Sequence, residues 1–209
     1  MRVVVICRTS ASSDEQRLLR RMHELRARVF KHRLDWAVHV EHNQEKDEYD
    51  QLDPTYLLLV GADDQVIGCA RLLPSTGPTM LGKTFPFLAT DSDIPQSSQI
   101  VESSRFCIDT ERCDTVSASG LRDATHTLFA GIIEWSMAKG YDQIVTVTDC
   151  RFERILKRAR WPLKRLGSPH QVGNTTAVAG LLQANDTSFN LVRPLSYAPI
   201  FPTTAEAAA

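Results

Sequence analysis

The sequence lacks any long apolar segment. Its longest uninterrupted apolar runs, at residues 3–7 and 56–60, are five residues each. A helix needs about 20 such residues to cross a bilayer. The N-terminal residues also lack the longer apolar region and small-residue cleavage site of a signal peptide. We therefore expect a cytoplasmic protein without a stable membrane anchor.

Paired cysteines are also missing. There are five cysteines, an odd number, and no two of them form a CxxC pair. They are spread along the chain at Cys7, Cys69, Cys107, Cys113 and Cys150. This spacing argues against a disulfide framework and against a zinc site, and it is typical of free thiols in a reducing compartment. No bound metal is expected.

Several common functional motifs are absent. The chain contains no GxGxxG after its first strand and no GxxxxGK[ST], which disfavours dinucleotide and P-loop nucleotide binding. It also contains no HExxH and no GxSxG, which removes the usual metalloprotease and serine hydrolase interpretations. We expect no tightly bound organic cofactor.

What is present fits one globular domain over residues 1–209. The chain is 43% hydrophobic and 23% charged, with a net charge of -1, and such a composition is ordinary for a folded domain of this length. The near-neutral charge hides two biased segments. Residues 41–53 carry six acids against one lysine, and residues 151–165 carry seven bases against one glutamate. A local basic segment predicts a localised acidic partner and not a nucleic acid.

Apolar periodicity predicts an alternating order of strands and helices. Strands are expected at 2–7, 99–108, 142–149, 171–182 and 189–193, a hairpin at 55–74 turning at 61–65, and helices at 12–33, 117–139 and 151–160. Gly140 is the expected C-cap of the second long helix. The acidic stretch after Trp36 is expected to be a loop, and residues 202–209 a flexible tail. This order predicts a three-layer α/β/α domain with a mixed twisted sheet.

One predicted strand, IVESSRFCID at 100–109, carries two charges. Side chains alternate along a regular strand, so Glu102 and Arg105 would face apart unless a bulge inserts a residue. Either arrangement places an ionisable group on a half-buried sheet, where it needs a partner. Two interpretations stay open at this point, a structural ion pair at a strand end or part of a functional site.

The wider pattern of charged and aromatic residues favours the second interpretation. It consists of R-x3-F-x5-W at Arg26, Phe30 and Trp36, D-x2-D at Asp47 and Asp50, Arg71, and E-x2-RF at Glu102, Arg105 and Phe106. In this pattern the chain resembles the LuxI-type acyl-homoserine-lactone synthases, the autoinducer synthases of bacterial quorum sensing. The resemblance runs from about residue 20 to 165, most of the chain, and is weak beyond.

The resemblance implies a GNAT-like N-acyltransferase fold and two substrates. One is S-adenosylmethionine (SAM), and the other is a fatty acyl thioester carried by acyl carrier protein or by coenzyme A. The SAM amine would attack the thioester, and its carboxylate would then close the lactone and release methylthioadenosine. No metal or further cofactor takes part.

Residue roles follow from the same resemblance. The expected catalytic residues are Glu102, Arg71 and Arg105, and the SAM-binding charge network and aromatic lid comprise Arg26, Phe30, Trp36, Asp47, Asp50 and Phe106. Glu102 has two open roles, general base toward the amine or electrostatic support for Arg71 and Arg105. Phe30 fits ordinary core packing nearly as well as substrate contact.

The acyl side is expected in two further groups of residues. An acyl pocket would use Ser104, Phe129, Ile132, Thr146 and Thr148, although ordinary core packing explains the apolar members equally well. The basic helix would dock acyl carrier protein through Arg151, Arg154, Lys157 and Arg158. A solvated helix face is the alternative for these four bases.

Two rival functions fit the sequence less well. An ordinary GNAT acetyltransferase would bind pyrophosphate on an R/Q-x2-G-x-G/A loop, and the corresponding stretch SGLRDATHTLFAG lacks those glycines. A non-catalytic SAM- or acyl-binding module would need no reactive geometry and would release no methylthioadenosine. The sequence leaves open the acyl chain, the thioester carrier and the oligomeric state.

Overall fold

The structure is a computed structural model that describes residues 1–61, 63–89, 94–112 and 121–201. The strands are β1 (Arg2–Cys7), β2 (Val40–Glu41), β3 (Gln44–Glu45), β4 (Thr55–Val60), β5 (Val66–Pro74), β6 (Ile100–Ile108), β7 (Gln143–Asp149), β8 (Lys164–Arg165), β9 (His170–Val172) and β10 (Thr175–Gln183). The α-helices are α1 (Ser13–Arg26), α2 (Met80–Lys83), α3 (Asp123–Ala138), α4 (Cys150–Arg158) and α5 (Asp186–Val192).

The main sheet is mixed, as expected. Its strand order is β1-β4-β5-β6-β7-β10-β8, with β9 paired to β10. Among the described pairs only β6 and β7 run parallel, because α3 crosses over between them. Helix α1 packs on one face of the sheet and α3 on the other. The three-layer α/β/α architecture predicted from the sequence is confirmed.

Alternation along β4 divides the core between the two faces. Tyr56 and Leu58 pack beneath α1 with Met22 and Leu25, whereas Leu57 and Leu59 pack beneath α3 with the aromatic residues of that helix. Each fully buried leucine of this kind contributes about 1.5–3 kcal/mol to folding. A strand buried on both faces therefore fixes the positions of α1 and α3 together.

The first helix changes its winding where it reaches the charged pattern. Ser12 and Glu15 form a capping box at its start. Beyond Arg26 the backbone continues as a π-helix, Ala27–Arg33, and not as the uninterrupted α-helix expected over 12–33. The wider turn still buries Phe30. Single π turns are frequent at functional sites because they re-aim side chains.

A β-bulge interrupts β6 at Arg105. The pairing with β5 shifts between Cys69 opposite Cys107 and Arg71 opposite Ser104. The backbone of Arg105 adopts a φ of 54°, a left-handed conformation that is uncommon for residues other than glycine. The extra residue turns the Arg105 side chain to the same face as Glu102. The bulge that the sequence left as one possibility is therefore present.

The parallel strands β6 and β7 separate after a short paired region. Their pairing covers only Ile100–Glu102 against 143–145. Both strands continue beyond that point, β6 to Ile108 and β7 to Asp149. A cleft in the middle of the sheet therefore begins beside Glu102.

Three further local expectations were wrong. The stretch 171–182, expected as one strand, is divided between β9 and β10, which pair antiparallel with each other. Residues 189–193, expected as a strand, lie mostly in the helix α5, which Asn185 caps by accepting a hydrogen bond from the Ser188 amide at 2.8 Å. The acidic stretch expected as a loop contains β2, β3 and a 3-10 turn, Glu48–Gln51. The expected tail at 202–209 lies outside the described residues.

Candidate active site

Arg26 is the most deeply buried member of the charged cluster. It is the last residue of α1, and its side chain is fully excluded from solvent. Its Nη1 and Nη2 donate to the two carboxylate oxygens of Asp50 at 2.8 and 2.9 Å, a bidentate pair. Its Nε donates to Glu45 Oε2 at 2.5 Å. Burial alone would lower the pKa of Arg26, but Asp50 and Glu45 outweigh it and raise that pKa well above its usual value.

Arg71 lies on β5 opposite Ser104 and is also fully buried. Its Nε donates to Ser104 Oγ at 3.1 Å. Its Nη1 donates to Asp47 and, at 2.9 Å, to Asp50. Burial would lower the pKa of Arg71, yet the Asp50 and Asp47 carboxylates raise it above its ordinary value. Arg71 therefore stays cationic inside the protein.

Arg105 completes the group of three arginines from the bulge in β6. Its Nε donates to Glu45 Oε1 at 3.1 Å, and its Nη2 lies 2.7 Å from Asp47 Oδ2. The guanidinium lies over the Phe30 ring, 5.7 Å from its centroid. Phe30 in turn stacks on Trp36 with 5.2 Å between centroids and 8° between planes. The two predicted aromatic residues therefore cover the charged cluster together.

The acids come from the segment after β3. Asp47 caps the 3-10 turn at Glu48–Gln51, and the Asp50 carboxylate accepts a hydrogen bond from the Asp47 amide at 2.8 Å. Tyr56 donates its hydroxyl to Asp50 Oδ1 at 2.6 Å. Burial would raise the pKa of Asp50, but Arg26 and Arg71 lower it far below the usual range. Asp50 is therefore ionised at neutral pH.

Glu45 belongs to this cluster although it is not part of the sequence pattern of charged residues. Its side chain is fully buried and bonds both Arg26 and Arg105. Its backbone carbonyl lies 2.9 Å from His23 Nδ1. Burial, followed by Arg26, lowers the pKa of His23 to about 4, so its imidazole is neutral at pH 7. Spacing offered one signal, because Glu45 lies two residues before Asp47, as residues on the same face of an extended segment do.

Glu102 lies beside this network and bonds a different partner. Its carboxylate oxygens accept hydrogen bonds from the Met80 and Leu81 amides at 2.9 and 2.8 Å, at the start of α2. Within the described residues it forms no ion pair with Arg71 or Arg105. Burial raises the pKa of Glu102, while the Leu81 and Met80 amides and the nearby Arg71 oppose that rise.

The charges of the cluster almost balance. Arg26, Arg71 and Arg105 are matched by three carboxylates, those of Glu45, Asp47 and Asp50. Such mutual pairing is what allows six charges to remain buried. Glu102 is a further anion beside a neutral network. We call the seven side chains together the ionic site.

The remaining predicted pocket residues divide between the two faces of the sheet. Ser104 faces the ionic site, where it bonds Arg71. Phe106 lies on the α3 face, with its ring 5.1 Å from Phe129 and 4.9 Å from Phe152. The bulge at Arg105 causes this separation of neighbours. The predicted contact of Phe106 with SAM stays a prediction.

Four predicted pocket residues share the α3 side. Phe129 and Ile132 lie on α3 and are almost completely buried. Thr146 and Thr148 are half-buried on β7, and alternation from Ile144, which packs in the α3-side core, places both hydroxyls on that side. They lie on the strand that separates from β6, so the cleft has apolar walls with two hydroxyls.

The basic helix α4 presents its predicted docking residues to solvent. Arg151, Arg154, Lys157 and Arg158 are all exposed. Glu153, the one acid in this segment, is bound by the more distant Arg165 at 2.6 Å. None of the four bases forms an ion pair with a carboxylate in the described residues. A positively charged surface therefore lies next to the open end of β7.

The described residues contain no group of three or more His, Cys, Asp or Glu side chains arranged to hold a metal ion. Within those same parts of the chain, no helix is both long and apolar enough to cross a bilayer. The described cysteines Cys7, Cys69, Cys107 and Cys150 are free thiols, and Cys113 lies outside the described residues.

A mixed sheet that opens beside a buried ionic site defines an acyltransferase-type α/β protein, and known proteins agree with this class. The autoinducer synthase family model matches residues 10–192. An acyl-homoserine-lactone synthase of Agrobacterium fabrum is 54% identical over 179 residues, 86% of this chain and 85% of the relative. A probable synthase of Sinorhizobium fredii is 52% identical over 184 residues, 88% of each chain. The chain belongs to the autoinducer synthase family.

Solved structures support the same assignment. The synthase LasI is 32% identical with a TM-score of 0.80, over 96% of this chain and 98% of its own. BjaI, a CoA-dependent synthase solved with SAM and isopentyl-CoA, has a TM-score of 0.82 over 99% of this chain and 97% of its own. At 22% identity that likeness concerns the fold alone. This chain is accordingly an acyltransferase of the acyl-homoserine-lactone synthase type.

Proposed function

We propose that this chain makes its lactone from SAM and an acyl group carried by acyl carrier protein. The observation that carries the proposal is a balanced, buried set of six charges with one additional carboxylate, Glu102, beside it. SAM bears a sulfonium, an ammonium and a carboxylate, with a net charge of +1. A site with a surplus of one negative charge complements that substrate.

Distinct parts of the ionic site suit distinct groups of SAM. Asp47 Oδ2 is buried and accepts no hydrogen bond, although Arg105 Nη2 lies at ion-pair distance. It therefore has free capacity for the substrate ammonium. Arg71 and Arg105 supply the donors for the substrate carboxylate. The stacked Phe30 and Trp36 rings offer an aromatic surface to the sulfonium or the adenine.

In the first step the ammonium must lose a proton, because α-amino groups ordinarily have a pKa of about 8. We assign that proton to Glu102, whose pKa is raised by burial toward the range of a useful base. The amine nitrogen then bonds the thioester carbonyl carbon. As the carbon–sulfur bond breaks, the sulfur leaves as a thiol with the second amine proton. The backbone amides that hold Glu102 keep it oriented throughout.

The second step closes the ring. A carboxylate oxygen of the acylated substrate bonds the methylene carbon next to the sulfonium, and the carbon–sulfur bond to that carbon breaks. Its electron pair neutralises the sulfonium, so methylthioadenosine leaves uncharged. The buried arginines hold the carboxylate near that carbon, and proximity of this kind contributes much of the rate in intramolecular displacements.

The acyl chain would enter the cleft between β6 and β7. Phe106, Phe129 and Ile132 would provide apolar surface. The Thr146 hydroxyl, which in this structure donates to the Val147 carbonyl at 3.5 Å, would donate instead to a 3-oxo group. An acidic carrier protein would dock on the exposed bases of α4, which lack carboxylate partners within the described chain. A carrier delivered there would feed its acyl group into the cleft.

One assay tests both substrates. Purified protein is incubated with SAM and either acyl carrier protein or coenzyme A bearing the same acyl chain, and the organic extract is analysed by mass spectrometry. We expect acyl-homoserine lactone and methylthioadenosine in equal amounts, with a higher kcat/KM for the carrier-protein donor. Product from acyl-CoA at equal or higher kcat/KM would reject the carrier protein and keep the chemistry. Methylthioadenosine without lactone would reject the synthase assignment.

A further inference from the structure

Met80 joins two of the arginines in the ionic site through its sulfur. It is the first residue of α2 and is buried. Arg71 Nη2 lies 3.1 Å from the Met80 Sδ and Arg105 Nη1 lies 3.4 Å from it. Two guanidinium groups from different strands therefore point their donors at one thioether.

A thioether is a poor partner for these donors. Every other side-chain hydrogen bond of Arg71 and Arg105 within the described residues goes to a carboxylate or to the Ser104 hydroxyl. The two Nη groups that face Met80 have only its sulfur as acceptor within the described chain, and methionine sulfur accepts hydrogen bonds weakly. Two converging charged donors with a weak acceptor between them match the geometry of a carboxylate site.

The backbone of Met80 is held by hydrogen bonds, and its buried side chain packs with Tyr49 and Leu73. Its amide donates to Glu102 Oε2 at 2.9 Å. Thr79 caps the same turn by accepting from the Gly82 amide at 3.0 Å. Methionine has three rotatable side-chain bonds and adapts readily to a changed cavity. The sulfur can therefore leave the two arginines without disturbing Glu102.

We propose that the Met80 thioether is a placeholder in the substrate carboxylate subsite, displaced when the α-carboxylate of SAM binds Arg71 and Arg105. This inference rests on the proposed function, since it names the atoms that receive one group of SAM. It makes Met80 a specificity-determining residue: the affinity for SAM depends on how strongly residue 80 competes for the two arginines.

Two substitutions move that competition in opposite directions. Met80→Leu removes the sulfur acceptor and keeps a side chain of similar size, so the SAM carboxylate no longer has to displace a hydrogen bond from Arg71 or Arg105. We expect the Kd for SAM to fall about threefold to tenfold, the effect of roughly one net hydrogen bond. Met80→Glu places a tethered carboxylate between the arginines. We expect the Kd for SAM to rise by about 100-fold, because the subsite is already filled by a charged partner.

Decarboxylated SAM, which keeps the amine and the sulfonium, is the matched ligand. Its Kd for Met80→Leu is expected to stay within about twofold of the wild-type value. Its Kd for Met80→Glu is expected to stay the same or decrease, so that this variant prefers decarboxylated SAM to SAM, the reverse of the wild type. Met22→Leu is the matched control variant, since the Met22 sulfur contacts Arg26 at 3.9 Å in the same network. It is expected to leave the ratio of the two dissociation constants unchanged.

Isothermal titration calorimetry of the wild type and the three variants gives all eight constants. Weaker SAM binding by Met80→Leu, or equal losses for both ligands in Met80→Glu, would overturn the placeholder role. Retained binding of decarboxylated SAM shows that a variant is folded. If the wild type binds neither ligand, the proposed function fails instead, so the two failures are distinguishable.

Discussion

The ionic site and the basic face of α4 carry charged side chains in opposite environments. In the ionic site three arginines are buried or nearly so, and each contacts at least one carboxylate. On α4 four exposed bases have no carboxylate partner among the described residues. Burial makes an unpaired charge costly, whereas solvent screens an exposed one. The same residue types therefore define a rigid chemical site in one place and an adaptable docking surface in the other.

This difference predicts how each region responds to substitution. In the ionic site each of the three arginines contacts two carboxylates, and Glu45, Asp47 and Asp50 each contact two arginines, so one change disturbs the whole network. On α4 each base acts almost independently, and its removal changes association more than chemistry. The following predictions test that contrast, beginning with the largest expected effect.

Arg71→Ala and Glu102→Ala are expected to abolish product. Arg71→Ala leaves Asp47 and Asp50 with unbalanced buried charge, which costs about 3–5 kcal/mol of stability, and removes a donor for the substrate carboxylate. Glu102→Ala removes the proposed base and the surplus anion. Methylthioadenosine release, followed by chromatography, should fall by about 1,000-fold or more in both.

The pH profile of kcat, compared between the wild type and Glu102→Gln, tests the role of Glu102 as a base. The substitution keeps the size of the side chain and loses both its charge and its basicity. If Glu102 is the base, kcat of Glu102→Gln stays low at saturating SAM, and the wild-type rate falls as pH drops through the raised pKa of Glu102. Product formation by Glu102→Ala at the wild-type rate would remove Glu102 from the catalytic residues.

Glu45→Gln is expected to lower kcat/KM for SAM by about 100-fold. The change removes the surplus negative charge of the ionic site, which weakens its complementarity to a cationic substrate, and loosens Arg26 and Arg105. Steady-state kinetics with varied SAM provides the measurement. Glu48→Gln, three residues along and exposed, is the control and should behave as the wild type. Equal kinetics for the two variants would exclude Glu45 from the network's function.

His23 should make the buried region sensitive to acid. Its folded pKa of about 4 lies below its ordinary value of 6.5, so between those values the unfolded chain binds a proton that the folded chain does not. As the pH drops through that window, the free energy of unfolding should therefore decrease by up to about 1.4 kcal/mol per pH unit. Urea unfolding of His23→Gln should lack this component, whereas the exposed His32→Gln should keep it.

Lys157→Ala should have the smallest effect. Loss of one exposed base is expected to raise KM for the acyl carrier protein donor about twofold to tenfold, with kcat and thermal stability unchanged. The same variant should use acyl-CoA as the wild type does. A salt titration checks the cause, since the difference from wild type should shrink as ionic strength rises. A KM shift that is equal for both donors would exclude carrier docking at Lys157.

The sequence predicted most of the fold because local patterns decide most of it. The alternating strands, the hairpin turning at 61–65 and the Gly140 C-cap, which has a φ of 81°, all follow from side-chain periodicity and backbone preference. The resemblance also predicted one charge network of Arg26, Asp47, Asp50, Arg71, Glu102 and Arg105. Ion pairs join five of these residues, whereas Glu102 lies beside them and bonds the Met80 and Leu81 amides.

Features that depend on tertiary contacts were harder to predict. Glu45 resembles its exposed acidic neighbours until Arg26 and Arg105 approach it from α1 and β6. The position of Phe106 depends on the bulge at Arg105, which the sequence allowed without requiring. In residues 189–193 apolar side chains suggested a strand, but the Asn185 cap and packing against α3 favoured a helix.

A crystal structure with bound SAM and without an acyl donor would test the central claim most directly. We predict that the substrate ammonium lies within hydrogen-bond distance of Asp47 or Glu102, with the carboxylate between Arg71 and Arg105 and an aromatic ring of the Phe30–Trp36 pair beside the sulfonium or adenine. SAM bound on the α3 side of the sheet, or on the basic face of α4, would contradict the account.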